Sequence, residues 1–379
     1  MSERLPATAR RGAARSWSAP LHRGLLLLLL PARAATAAAA LFAIALCSLL
    51  SGCTEVRYVA QASLGQLSMA WKTESLKDAA FDARKSWRTR ALLREVPHIK
   101  RFGERHGLTA TGNYRTYVEL ERPAAVWVVS ACEPLRFRSK TWSFPIVGTV
   151  PYLGWFHLKD ARAFAAPLKA AGWDVDVRPA GAYSTLGWLE DPVLSTMISS
   201  GDDALGDLAN VVLHESLHAT LYVKGQTRLN ESLANFVGDE LAKAYLDERV
   251  GPFSAEKTSY MREQERGEAR ARALHDAYIH LDRLYASSAS DADKRAEKQA
   301  VLARLAADIG ARRPLNNAAL VQFRVYNSGS EELSALLATC GGSWPRFVGA
   351  LKKLEGQRFS APQENIGRVV EPLIQAGCR

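Results

Sequence analysis

Apolar residues recur at helical spacing at both ends of the chain, and a different pattern separates the two stretches. Residues 56–107 carry apolar side chains at intervals of three or four, with no proline before Pro97, which predicts helices. Residues 115–186 hold short runs rich in Val, Trp, Tyr and Phe between Pro and Gly, which is typical of strands, with one helix predicted over residues 159–171. From Asp203 to the end the pattern is helical again.

This order predicts an α+β fold with a first helical part, a small mixed sheet and a largely helical C-terminal half. Within that half, the long charged stretch over residues 254–310 predicts a solvated helical hairpin, broken near Ser287 and Ser290. We expect one domain over residues 53–379, with the sheet in residues 53–200 and the helical part in residues 201–379.

The first 52 residues have the features of an export signal. Residues 1–33 are basic and residues 34–50 carry no charge, and Leu50-Ser51-Gly52-Cys53 follows. A basic region, an apolar region and small residues before the cut are typical of a signal peptide. A cysteine after Leu-Ser-Gly resembles the lipobox of bacterial lipoproteins, which predicts cleavage before Cys53 and membrane attachment through its lipidated sulfur. The alternative is an uncleaved anchor, for which ~17–20 apolar residues would suffice.

Both alternatives place the rest of the chain outside the cytoplasm. We expect a lipid-anchored protein of the bacterial cell envelope that faces the periplasm. Thr54 follows the cysteine, where an Asp would have suggested retention in the inner membrane, so the outer membrane is favoured.

Charge and composition narrow the class of protein. The formal net charge is +10, but residues 1–52 hold six arginines against one acid, which leaves 43 basic and 38 acidic residues after them. We find neither clustered Lys/Arg with aromatics nor a nucleic-acid-binding motif, so no nucleic acid is expected as a partner. A hydrophobic content of 47% excludes a disordered or collagen-like chain. Once Cys53 is acylated, three cysteines remain for at most one disulfide, and spacing does not choose among Cys132, Cys340 and Cys378.

One segment of the helical half carries a chemical motif, His214-Glu215-Ser216-Leu217-His218. The histidines are four residues apart, so on a helix both imidazoles leave one face about one turn apart. That spacing lets both bind a single Zn²⁺. Glu215 lies one step round the helix, where it can take a proton from water without being a ligand. This H-E-x-x-H pattern on a helix is a recognised metallopeptidase signature.

A zinc site of this type needs a third ligand, and Glu231 follows His218 by thirteen residues. A turn is predicted at residues 224–226, and Asn230 is predicted to cap the next helix. Two antiparallel helices would return Glu231 to the histidine face, helped by small neighbours such as Gly238. The alternative is a glutamate that only stabilises the helix N-terminus through the helix dipole.

The two motifs, His-Glu-Ser-Leu-His and Asn-Glu-Ser-Leu-Ala, resemble those of the gluzincin metallopeptidases, whose third ligand is a glutamate on the following helix. Further segments, in the same order, resemble a family of bacterial lipoproteins described as aminopeptidases. The resemblance runs from the lipobox to about residue 335. Its segments are residues 58–62, 65–67, 126–129, 142–145, 148, 182–188, 191–196 and 315–318.

The resemblance implies a gluzincin-like zinc aminopeptidase that hydrolyses peptide substrates with one Zn²⁺, held by His214, His218 and Glu231, and with Glu215 as general base. Gluzincins often stabilise the oxyanion with a Tyr or His from a later helix, and Tyr326 is the candidate here. The alternative for Tyr326 is a packed core aromatic.

Other parts of such a site are also expected. An edge strand beside the active helix usually pairs with the substrate backbone. The candidates for this strand are Tyr183, Ser184, Thr185, Leu186 and Gly187, and an ordinary buried strand is the alternative.

A carboxylate from Asp239 or Glu240 should orient one imidazole. Glu119, Glu190 and Asp191 are candidates to hold a substrate amine.

The chain also departs from the family at Ser143 and Thr149, where members often carry cysteines, so a family disulfide is missing.

Two other functions fit the same motif. One is a metal-stabilised binding or maintenance lipoprotein of the envelope without turnover, and the other is a zinc endopeptidase. Glu215 favours catalysis, because a purely structural site fills its fourth position with a protein ligand. The sequence leaves the oligomeric state open.

Overall fold

The computed structural model describes residues 54–144, 148–182, 190–324, 329–359 and 365–378. The chain divides into two compact units, residues 1–60 and residues 61–379. Within the described ranges, none of the helices combines the length and the apolar character needed to span a bilayer.

The described chain begins with helices, as the apolar pattern predicts. They are α1 (Thr54–Trp71), α2 (Leu76–Phe81) and α3 (Trp87–Arg105). The hydroxyls of Ser75 and Ser86 cap α2 and α3 by accepting hydrogen bonds from N–H groups of the first turn. Pro97 lies inside α3 and does not end the helix.

The strands form several small sheets, which corrects the prediction of one small mixed sheet. In one sheet, β2 (Thr116–Val118) pairs antiparallel with β1 (Glu74–Ser75) and parallel with β8 (Val193–Leu194). In another, β3 (Val126–Cys132) lies antiparallel between β6 (Tyr152–Trp155) and β7 (Asp174–Ala180). A hairpin pairs β4 (Trp142–Phe144) with β5 (Gly148–Val150). Strands β1 and β8 are two residues long, too short to show an alternating pattern.

Helices dominate the chain after residue 156. They are α4 (Leu158–Ala170), α5 (Ala204–His218), α6 (Thr227–Arg249), α7 (Ala255–Ala286), α8 (Asp291–Asp308), α9 (Asn317–Leu320), α10 (Ser330–Thr339), α11 (Trp344–Lys352) and α12 (Ile366–Ala376). The predicted hairpin is α7 and α8: Ser287 ends α7, and the Ser290 hydroxyl caps α8 by accepting from Asp293 N.

A buried asparagine joins the helical half to the β3–β7 sheet. Asn317 is fully buried, and its Nδ2 donates to the Glu133 carbonyl at 2.8 Å. Its backbone N–H donates to Asp174 Oδ2 at 2.8 Å, and Tyr285 donates to its Oδ1 at 2.8 Å. Because each polar group of Asn317 finds a partner, its burial fixes α9 against the sheet.

In the described part of the chain the structure contains one disulfide, and it pairs two hydroxyl side chains at the positions where family members often carry cysteines. Cys340 and Cys378 form a disulfide, with a Cα–Cα distance of 5.0 Å, which ties the end of α10 to the residues after α12. Cys132 is a buried free thiol. Ser143 and Thr149 face each other across the β4–β5 pair, with their hydroxyls 2.8 Å apart.

Candidate metal centre

Helix α5 lies within the core and carries the H-E-x-x-H motif near its C-terminal end. Its apolar side is buried against α3 and α6 through residues such as Leu208, Val212 and Leu217. The His214 and His218 side chains retain 17% and 6% exposure. Their ring centres are 4.9 Å apart and the rings are nearly perpendicular, at 83°. The helix therefore places two imidazoles, one turn apart, side by side where a small part of each ring is still exposed to solvent.

The turn between α5 and α6 is closed by Asn230, which differs from its predicted role. Helix α6 begins at Thr227, so Asn230 is a helical residue and not the cap. Its buried amide accepts from Val223 N and donates to Val223 O, each at 2.9 Å. This pair of hydrogen bonds holds the turn at Val223 against the first turn of α6. Glu231 is the next residue after Asn230.

Close packing of the two helices brings Glu231 to the histidines. A Cβ added at Gly238 would lie 3.1 Å from His214 Cβ and 3.0 Å from Asn210 Oδ1. Only a glycine leaves room for this approach, which agrees with the small residues noted on α6. Glu231 remains half exposed, so solvent reaches the point where the three side chains meet.

The three side chains have the geometry of a metal site. His214 Nε2 and His218 Nε2 each lie 3.7 Å from a different oxygen of Glu231. Ligand atoms of all three fall within 4.8 Å of one another, and no other such group occurs in the part of the chain that the structure describes. Tetrahedral zinc with bonds of about 2.0–2.2 Å has ligand atoms about 3.4 Å apart. Two of the distances are already near that value, so the residues fit a zinc ion.

Electrostatics also suit a metal. Burial lowers the pKa of His214 to about 3, and the nearby His218 contributes in the same direction. Burial lowers the pKa of His218 to about 4. Both imidazoles are therefore neutral at pH 7, and a neutral imidazole is the form that binds a metal. Partial burial raises the pKa of the Glu231 carboxyl.

An asparagine, and not the predicted carboxylate, lies against the first histidine. The side chain of Asn235, one turn after Glu231, lies near enough to His214 to act on its pKa, which it raises against the larger effect of burial. Asp239 instead accepts from Asn210, and Glu240 accepts from Lys243 at 2.7 Å, so neither predicted partner is used. The predicted partners lie two turns past Glu231, whereas the helix brings Asn235, one turn past it, to the ring.

A tyrosine that the sequence analysis missed lies near the candidate base. Tyr114 is buried and adopts the left-handed backbone conformation, with φ of 62°. Its N–H donates to the Asp191 carbonyl at 2.7 Å. The pKa of Tyr114 is raised well above 10, first by burial and then by the negative charges of Glu215 and Asp191. The Tyr114 phenol is therefore part of the surroundings of Glu215. Because Tyr114 lies far from the motif in the sequence, no local spacing predicts this.

The candidate amine-binding acids have other contacts. Glu119 accepts a hydrogen bond from Tyr117 at 2.6 Å, and Asp191 is buried. Backbone groups of Asp191 bond to Asn113 and Tyr114, which fixes this loop beside α5. Glu190 is exposed and lies against Gly112.

Several predicted residues lie outside the described ranges. These are Cys53, the oxyanion candidate Tyr326 and the substrate-strand candidates Tyr183, Ser184, Thr185, Leu186 and Gly187. Asn316 is described, and it caps α9: its Oδ1 accepts from Ala319 N at 3.1 Å.

A family model described as "Putative aminopeptidase" matches residues 57–365. The chain belongs to this family. Comparisons with curated proteins and with solved structures give no significant match.

The match to the aminopeptidase family spans the whole candidate metal centre, from Tyr114 on one side to Asn235 on the other. It begins after Cys53, so it carries no information on the export segment. The family name suggests peptidase activity for a chain of this kind.

Proposed function

We propose that the protein is a zinc-dependent aminopeptidase that hydrolyses peptide bonds outside the cytoplasm. The observation that carries the proposal is the meeting of His214, His218 and Glu231 next to Glu215, in a position that solvent reaches. A structural zinc site would be closed by a fourth protein ligand, whereas a catalytic site keeps one position open. In the described chain, three ligands and one adjacent carboxylate are present.

His214, His218 and Glu231 would hold the ion, and Asn235 would fix the orientation of the His214 ring. Zinc in such a site acidifies water and polarises the scissile carbonyl. The chain supplies the rest: Glu215 takes the proton from the attacking water and later passes it to the leaving amine. The buried Tyr114 and Asp191 keep the surroundings of Glu215 fixed.

Substrate contacts and location complete the proposal. Tyr326 would stabilise the oxyanion, and the run from Tyr183 to Gly187 would pair with the substrate backbone. Lipid on Cys53 would anchor the protein to the envelope, facing the periplasm.

The test is turnover by wild type and Glu215→Gln with three substrates. These are an aminoacyl anilide, the same compound with its amine acetylated, and a longer peptide blocked at its N-terminus. We expect cleavage of the free-amine substrate alone, and a loss of about 10²–10⁴-fold in Glu215→Gln, the range for removal of a general base. Glu265→Gln is the matched control, because this exposed residue of α7 undergoes the same charge change.

Each other outcome rejects part of the proposal. Cleavage of the blocked peptide would indicate an endopeptidase. Zinc binding without any turnover would support the non-catalytic envelope lipoprotein. Full activity in Glu215→Gln would show that this residue is not the base.

A further inference from the structure

Positive charge is concentrated in one stretch of the folded chain. Residues 61–101 hold nine lysines and arginines against four acidic residues, whereas residues 102–379 hold 33 of each. The net charge of the whole chain does not reveal this local surplus of basic residues. The entire charge surplus of the compact unit therefore belongs to the end of α1, to α2 and to most of α3.

The same stretch also exposes large apolar side chains. Leu64, Trp71, Phe81 and Trp87 are 66%, 81%, 66% and 70% exposed. Elsewhere in the described ranges only Phe253, at 95%, is exposed to this degree. Scattered exposed apolar residues are ordinary, but Phe81 shares a groove with several cations, and an exposed apolar side chain in such a setting marks an interaction surface.

A groove between α2 and α3 combines both features. It has a volume of about 480 Å³. Its apolar floor contains Leu76, Ala80, Leu93 and Pro97. Its rim carries Phe81, one acid, Glu104, and five cations: Lys77, Arg94, Lys100, Arg101 and Arg115. We call this feature the cationic groove.

Glu104 and Glu190, the two acids whose charges act on Lys100, offset the charge of the cationic groove only in part. In the described part of the chain, none of its five cations forms an ion pair with a carboxylate. The Arg94 guanidinium lies 5.6 Å from the centre of the Phe81 ring, at the mouth of the groove. Lys100 donates to the carbonyls of Thr111 and Asn113, and burial together with the charge of Arg115 lowers its pKa. A ligand with a negative head and an apolar tail would satisfy both the rim and the floor.

We propose that the cationic groove, with Phe81 on its rim, binds the phosphate headgroup and proximal acyl chain of an anionic phospholipid at a bilayer surface. Aromatic and cationic side chains together are the combination that holds a protein in the membrane interface. The groove lies 23–62 residues along the chain from Cys53. A lipid anchor at Cys53 would keep this surface near a bilayer, but the proposed contact does not depend on that lipid or on catalysis.

The test uses protein beginning at Thr54, which retains the complete compact unit of residues 61–379 and lacks the acylated cysteine. Co-sedimentation measures its partition onto vesicles of phosphatidylglycerol and of phosphatidylcholine at low salt. We expect binding to the anionic vesicles alone. Each cation near an anionic surface strengthens partition about fivefold, so Lys77→Gln/Arg94→Gln/Arg101→Gln should weaken it about 100-fold.

Matched controls separate the groove from general charge. Arg262→Gln/Arg304→Gln/Lys352→Gln removes the same charge from exposed positions elsewhere and should leave binding nearly unchanged. Phe81→Ser should weaken partition about 10- to 150-fold, since burying a Phe side chain contributes about 1.5–3 kcal/mol, and Phe253→Ser should not. Thermal unfolding of each variant checks the fold.

Three results would overturn the proposal. They are equal loss in both triple variants, equal binding to the two kinds of vesicle, and displacement by millimolar inorganic phosphate. The last would identify a site for a small soluble anion and not for a lipid.

Discussion

Substitution of Gly238 by alanine tests whether close packing of α5 and α6 builds the metal centre. The new Cβ would lie 3.0 Å from Asn210 Oδ1, 3.1 Å from His214 Cβ and 3.2 Å from the Asn210 carbonyl oxygen. The last two atoms are a Cβ and a main-chain oxygen of α5, so they cannot rotate away. The helices must separate by a few tenths of an ångström, and His214 moves away from Glu231.

The expected magnitude follows from two opposing terms. Replacing glycine by alanine inside a helix stabilises it by about 1 kcal/mol. Overpacking in a filled interior costs about 1–3 kcal/mol. The metal-free Gly238→Ala protein should therefore lose up to about 2 kcal/mol in its free energy of unfolding. Zinc affinity should fall about 10–100-fold, the effect typical of disturbing the support of a ligand.

Gly267→Ala is the matched control. Gly267 lies inside α7, and a Cβ there would meet nothing within 4 Å. This variant should gain about 1 kcal/mol in its free energy of unfolding and keep its zinc affinity. Urea denaturation of the metal-free proteins and competition with a zinc chelator give both quantities. If Gly238→Ala is stabilised as Gly267→Ala is and binds zinc like wild type, the packing argument is wrong.

Further predictions concern the ligands and the disulfide. In the metal-free protein, the pKa of His214 is about 3 and that of His218 about 4, below the usual 6.5. As pH falls, these histidines therefore take up protons in the unfolded chain before they do so in the folded protein. The free energy of unfolding should decrease from pH 6.5 to pH 4. Urea titrations at pH 7, 6 and 5 that all give the same free energy of unfolding would refute this. Asn235→Ala should weaken zinc binding about 10–100-fold while retaining the fold, and unchanged affinity would remove its orienting role. Cys340→Ser should lower the free energy of unfolding by about 2–4 kcal/mol, and dithiothreitol should do the same to wild type; no change would mean that the Cys340–Cys378 bond does not form.

The central pair of helices could be predicted from local spacing. His214 and His218 are four residues apart, and a helix of any environment places such residues on one face. Glu231 required one more assumption, a tight turn back, which the buried Asn230 provides.

The details beyond that spacing depend on tertiary contacts. Asn230 is a good cap by composition, yet its amide finds partners on Val223 across the turn, so the helix begins earlier. Asp239 satisfies Asn210, which leaves Asn235 to contact His214. Tyr114 reaches the surroundings of Glu215 from about a hundred residues upstream, and no local pattern signals such a contact.

The pairing of the short strands also depends on tertiary contacts that the local sequence does not reveal. Residues 126–132 are rich enough in Val and Trp to be predicted as a strand, and they form the centre of the antiparallel sheet. Strands β1 and β8 have two residues each and exist only because β2 lies between them. Their pairing is decided by the surrounding helices, so it is absent from the local sequence pattern.

The most direct test of the central claim is the zinc content per chain of protein beginning at Thr54, purified gently and dialysed against zinc. Wild type, Glu231→Ala and the exposed control Glu265→Ala are compared. The three-ligand site predicts about one zinc in wild type and in the control, with a clear loss in Glu231→Ala. Absence of zinc from all three, or equal zinc in all three, would contradict the site formed by His214, His218 and Glu231.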